Sequence, residues 1–207
     1  MEDRNNYSMK AKNFTILAVL GFASLTIHAQ GTINFSNGAA GVNAPVSNNY
    51  ENTLVSGSAF IAQLFAGPVG TAWDSLTPIT PTATFGTGPT AGYFFGGLVV
   101  IPNVPAGSPA AFQVRVWSSN FATWDAAWAA YQQGDLASGI GVSGWNLTGL
   151  PTTVFVSPNL GGGPNPPPNL VGLQSFRLLV PEPSVFLLGL AGVVILSLRH
   201  FWFRHYK

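Results

Sequence analysis

Charge is confined almost entirely to the two ends of this chain, and that partition constrains its fold more than any other feature. Of 207 residues, the stretch 30–180 carries only Glu51, Asp74, Asp125, Asp135, Arg115 and Arg177. That is 6 charges in 151 residues, net −2, with no Lys, His or Cys. Ordinary soluble domains hold about 25% charged residues, against 7% for this whole chain. A body so poor in charge must be held by apolar burial and main-chain hydrogen bonds. At 47% hydrophobic residues it has the material for a sizeable core. The missing Cys excludes disulfides, thiolate metal sites and a Cys nucleophile. The missing His excludes a Ser–His–Asp arrangement in the body.

The first end reads as a secretory leader over residues 1–29. Lys10 and Lys12 form a basic region, and 14–27 is an apolar run. Ile27-His28-Ala29 then resembles a small-residue cleavage signal, placing the cut between Ala29 and Gln30. Met9 opens a conventional basic start, so either Met1 or Met9 serves as the first residue. A leader of this kind implies the Sec translocon and a signal peptidase as partners.

The other end reads as a membrane element. Residues 184–198 (SVFLLGLAGVVILSL) carry no charge, and Phe201, Trp202 and Phe203 extend the apolar stretch to 184–203. A helix rises about 1.5 Å per residue, so the extended stretch matches a bilayer core of about 30 Å. Arg199 would snorkel to the headgroups. Arg199, Arg204 and Lys207 set the topology, keeping the tail cytoplasmic and the body outside.

Immediately before this element stands Val180-Pro181-Glu182-Pro183-Ser184. Pro-Glu-Pro, an apolar helix containing Gly189-Leu190-Ala191-Gly192, and a basic tail together resemble the PEP-CTERM sorting signal of exported bacterial proteins. The resemblance implies that Pro181, Glu182 and Pro183 are the sorting motif over 181–207. It further implies processing by an exosortase-type membrane protease, and transient inner-membrane retention before delivery to the cell surface or extracellular matrix. The physics is compatible. Two prolines disfavour helix and leave an extended peptide before the span, and Glu182 offers one charged handle. Two departures stand out: Val185 replaces a small or hydroxyl residue, and the tail is diluted with His and aromatics. Gln30–Asn37 (QGTINFSN) also resembles the mature start of exported proteins from verrucomicrobial-type bacteria. No activity comes with either resemblance.

The body, 30–180, reads as mainly β: a single antiparallel β-sandwich, jelly-roll-like, with one short helix. In 111–117, Phe112, Val114 and Val116 alternate with Gln113 and Arg115. Residues 58–66 form a second strand with apolar residues on both faces. Further strands are expected over 31–36, 93–101, 153–157 and 173–180, separated by Gly- and Pro-rich turns. Trp124, Ala127, Trp128 and Tyr131 have helical spacing. Thr123 is placed to cap that helix and Gly134 to end it, and the helix is expected across one end of the sheet or over an edge.

The body acids, Glu51, Asp74, Asp125 and Asp135, are scattered over 85 residues, without the spacing of a catalytic pair. The sequence therefore predicts no enzyme, no cofactor and no metal site. Asn43, Asn48, Asn49, Glu51 and Asn52 read as a polar loop rather than a calcium site. Nucleic acid is excluded by the lack of a basic patch. The alternative to a structural passenger is an exopolysaccharide-binding module using aromatic faces. Trp145, expected to be the most exposed Trp, and Trp73 are the candidate sugar contacts.

Overall fold

The computed structural model describes residues 29–48, 53–135, 137–145 and 152–179. The leader up to His28, the sorting motif Pro181, Glu182 and Pro183, the span, and Arg199, Arg204 and Lys207 lie outside these residues. Among the described residues no helix is long and apolar enough to cross a membrane.

The body is mainly β, with one α-helix. In chain order the strands are β1 (Gln30–Ser36), β2 (Gly38–Ala39), β3 (Val42–Asn43), β4 (Val46–Asn48), β5 (Phe60–Pro68) and β6 (Thr77–Pro78). They continue with β7 (Ala83–Thr84), β8 (Phe95–Pro105) and β9 (Ala110–Ser118), and after helix α1 (Trp124–Gln132) with β10 (Gly141–Val142), β11 (Phe155–Val156) and β12 (Phe176–Leu178).

The alternation read in 111–117 builds β9, which pairs antiparallel with β5 over nine positions, from Phe60 opposite Ser118 to Pro68 opposite Ala110. Around this pair the sheet runs β10-β9-β5-β6, with β7 also on β5 and β11 also on β9. All nine residues of β9 are buried. Phe112, Val114 and Val116 enter the main core with Ala62, Leu64 and Ala66 of β5. Ala111 and Trp117 enter a second cluster with Phe65. Both faces of β5 are thus used, as its sequence implies.

A second antiparallel pair joins β1 to β8, from Gly31 opposite Ile101 to Phe35 opposite Gly97, with irregularities at both ends. Ile33, Phe35, Val99 and Ile101 add to the main core. Phe35 and Phe94 rings lie 4.8 Å apart, and Phe94 meets Phe85 edge-on at 5.9 Å. Gly96 makes this possible, because a Cβ there would fall 2.2 Å from the Phe35 ring.

One pair breaks the expected antiparallel pattern. β12 runs parallel to β4, Phe176 opposite Val46 and Leu178 opposite Asn48. A parallel pair needs a long crossover between its strands, and here most of the body supplies it.

Helix α1 starts and stops where its sequence implies. The Thr123 hydroxyl accepts from the Ala126 N–H at 3.3 Å, and Gly134, at φ 80°, follows its end. Through Trp124 and Ala127 it packs on the face of β9 turned away from the main core, because that face carries Gln113, Arg115 and Trp117 and needs cover.

Asn37, fully buried, ties three segments together. Its amide donates to the carbonyls of Ala44 at 2.8 Å and Gly92 at 2.9 Å, and its carbonyl oxygen accepts from the Phe94 N–H at 2.7 Å. Each buried polar group left unpaired costs about 1–3 kcal/mol. Asn37→Ala is therefore expected to lower the unfolding free energy by about 3 kcal/mol or more. Asn34→Ala, which breaks one part-buried bond to Asn169, is expected to cost about 1 kcal/mol. Urea unfolding followed by Trp fluorescence measures both.

Candidate functional site

The side of β9 away from the main core carries Gln113 and Arg115, and burying them there sets the chemistry of this region. Arg115 is only 4% exposed. Its guanidinium lies 4.0 Å from the centre of the Phe65 ring, 5.2 Å from Trp124 and 5.8 Å from Trp73. Aromatic faces attract a cation, and more strongly when water is excluded. Its Nε donates to Gln113 Oε1 at 2.7 Å, and its Nη2 donates to the Trp73 carbonyl. Gln113 Nε2 in turn donates to the Thr153 carbonyl at 2.9 Å. One string of hydrogen bonds thus runs from residue 153 through β9 to residue 73.

Burial pulls the Arg115 pKa down to about 10, while Asp125 and Asp74 act in the opposite direction. The group stays charged at neutral pH. Two of the body's four acids therefore serve this cation electrostatically. Asp74 sits in the short turn of helix Trp73–Ser75 and accepts from the Ser75 hydroxyl at 3.2 Å. Asp125 lies in the first turn of α1, where the helix dipole also favours an acid. Asp135 accepts from the Ala137 N–H at 2.8 Å. Among the described residues no group of three or more His, Cys, Asp or Glu is placed to hold a metal ion.

The five Trp residues of the body converge on the same layer. Trp124 stacks on Trp128, and Trp128 on Tyr131, each at 5.8 Å. Trp117 meets Trp124 edge-on at 6.3 Å and donates from its indole N–H to the Phe121 carbonyl at 3.0 Å. Trp73 meets Trp128 at 6.4 Å. Burial also pushes the Tyr131 hydroxyl up from its ordinary pKa.

From the sequence, Trp145 is expected to be the most exposed Trp. It is half-buried instead, with its ring 5.9 Å from Trp128 and 5.8 Å from Tyr131. The reason is the turn after β10, where the Trp145 N–H donates to the Val142 carbonyl and folds the residue back under α1. Trp73 is also half-buried, but it lines an open cleft of about 440 Å³. Thr71, Ala111, Thr152, Val154 and Val156 complete the walls, and no charged side chain lines them. Ala29 and Gln30 are exposed at the start of β1, with the Ala29 carbonyl accepting from the Ala106 N–H at 2.9 Å.

Sequence reasoning placed Arg115 on a strand face but missed its enclosure. The available signal was a lone Arg in a strand with apolar flanks, in a body rich in Trp and nearly free of other cations.

Comparison with protein-family models, with curated proteins and with solved structures yields no match for this chain.

Arg115→Ala would leave Gln113 Oε1 and the Trp73 carbonyl without their donor and open a void against Phe65. A buried acceptor that loses its donor costs about 1–3 kcal/mol, and a loss of that order is expected here. Arg115→Lys is expected to recover only part of it, because an ammonium lacks the planar fork that reaches both acceptors. Thermal unfolding of the two variants against the parent checks the ranking.

Proposed function

We propose that this chain is an exported protein of the PEP-CTERM type, carried to the cell surface or extracellular matrix, with a non-enzymatic structural body. The observation that carries the reading is Pro181-Glu182-Pro183 directly before the uncharged run 184–198 and a tail bearing Arg199, Arg204 and Lys207. Sec translocon, signal peptidase and an exosortase-type protease are the partners this requires, with transient retention in the inner membrane. The boundaries of the folded body support it. The expected cut between Ala29 and Gln30 falls at an exposed site where β1 begins, so cleavage there would leave the strand whole. The body is proposed to be a sandwich, since residues of the β1–β8 pair and of the β5–β9 sheet share one buried cluster.

Replacing Pro181, Glu182 and Pro183 together by Ala is expected to abolish maturation and retain the protein in the inner membrane. Cell fractionation with mass measurement of the mature termini reads this. Unchanged maturation and surface delivery would sink the proposal.

The cleft supports a second reading, a carbohydrate-binding body. Indole faces and hydroxyls beside an uncharged apolar wall suit the C–H faces and hydroxyls of a neutral sugar, and Trp73, Thr71 and Thr152 are placed there together. Trp73→Ala is expected to remove retardation in affinity electrophoresis through the organism's own exopolysaccharide. It keeps the carbonyl that Arg115 uses but removes a ring beside Arg115 and Trp128, so thermal unfolding is run beside the binding assay to show that the variant is folded. Absence of retardation in the parent would reject this second reading.

A further inference from the structure

The outer edge of β8 is built to pair with another strand. The Thr32 N–H donates to the Gly161 carbonyl and the Asn34 N–H to the Pro168 carbonyl, so these residues of β1 turn their main-chain groups away from β8. In an antiparallel pair the residues alternate between facing the partner and facing away. Ile33 therefore bonds with Val99 and Gly31 with Ile101, while Leu98 and Val100 point their N–H and C=O groups outward. No described residue pairs with them there. Their side chains are also outside: Phe95, Leu98 and Val100 are 58%, 60% and 45% exposed.

Edge strands are ordinarily blunted by charge, proline or bulges; Pro102 and Pro105 and the irregularities at both ends of the β1–β8 pair confine the open edge to residues 98–100. The whole of β8, FGGLVVIPNVP, carries no charge, and neither does its neighbour β1, QGTINFS. We propose that this edge pairs antiparallel with the same edge of a second copy of the chain, across a two-fold axis at Val99.

The geometry favours a second copy because the edge is complementary to itself. With Val99 opposite Val99, Leu98 of each copy lies opposite Val100 of the other. All four outward N–H groups then find the four outward carbonyls. Leu98 and Val100 meet as apolar cross-strand pairs on the exposed face. A two-fold axis sets any charge close to it near its own image, so a charged edge would repel itself, and this edge holds nothing to repel. The register is also limited. Pro102 lacks an N–H, and Gly97 at φ 75° and Asn103 at φ 61° turn the strand at either side. The pairing is short, and belongs with the weak, reversible interfaces.

The test is sedimentation and light scattering of the full chain in detergent micelles, with Leu98→Lys and Val100→Lys beside the parent. Both side chains are exposed, so Trp fluorescence is expected to report an unchanged fold. The parent is expected to dimerise as concentration rises through the micromolar range. Each Lys places like charges across the axis and is expected to weaken self-association by more than about tenfold. Hydrogen exchange separates this surface from any other. The Leu98 and Val100 amides are expected to slow with dimerisation in the parent alone, while Val99 and Ile101 stay slow throughout. A parent that remains monomeric overturns the proposal, as does a dimer that survives both Lys variants or leaves the Leu98 and Val100 amides in fast exchange. A monomeric parent whose edge is protected only by a different protein would assign it to that protein.

Discussion

The nine-residue ladder between β5 and β9 is the constraint on which the rest of the body depends. Its two strands are apolar or capped on both sides, so neither face can be left to water. A single layer of cover would leave half of this surface wet. The chain meets the demand with two different layers. One is aliphatic and aromatic, drawn from the β1–β8 pair and the segments around β4 and β12. The other is α1 with its tryptophans.

The second layer solves a harder problem than the first. A buried guanidinium is costly to desolvate, and this one stands on the central strand. Phe65, Trp73 and Trp124 replace water around it with ring faces. Gln113 and a main-chain carbonyl accept hydrogen bonds from it, and two exposed acids lie at its margin. The low charge of the body and its many tryptophans are thus linked. With so few carboxylates available, aromatic rings do much of the work of balancing a cation. Trp73 and Trp124 serve this task, Trp145 packs instead on Trp128 and Tyr131, and Trp73 of the two proposed contacts also lines the open cleft.

What was legible in the sequence follows from length and period. β5, β9 and α1 are long enough to show their patterns: Phe112, Val114 and Val116 at period 2, and Trp124, Ala127 and Trp128 at helical spacing with Thr123 and Gly134 as punctuation. β2, β3, β6, β7, β10 and β11 have two residues each, too few for any periodicity; β6, β7, β10 and β11 exist because β5 and β9 present a ladder to join, while β2 and β3 pair with each other. The parallel partnership of Phe176 with Val46 was invisible for a different reason. It joins segments far apart in the chain, and no local pattern encodes such a meeting. Trp145 shows the same limit in the site. A Gly-rich neighbourhood reads as an exposed loop, but one turn bond to Val142 carries the ring back under the helix.

The last described segment is held firmly. Phe176, Leu178 and Leu179 are buried, and Leu179 exchanges main-chain bonds with Ile140 in both directions. Only Val180 then separates Leu179 from Pro181. One residue spans at most about 3.6 Å, far less than the width of a domain. A pull on the chain beyond Val180 would therefore reach the Leu179–Ile140 bonds and the β12–β4 pair directly, with no spring between. Under the proposed anchoring, the strand that closes the core would also be the one to bear the load.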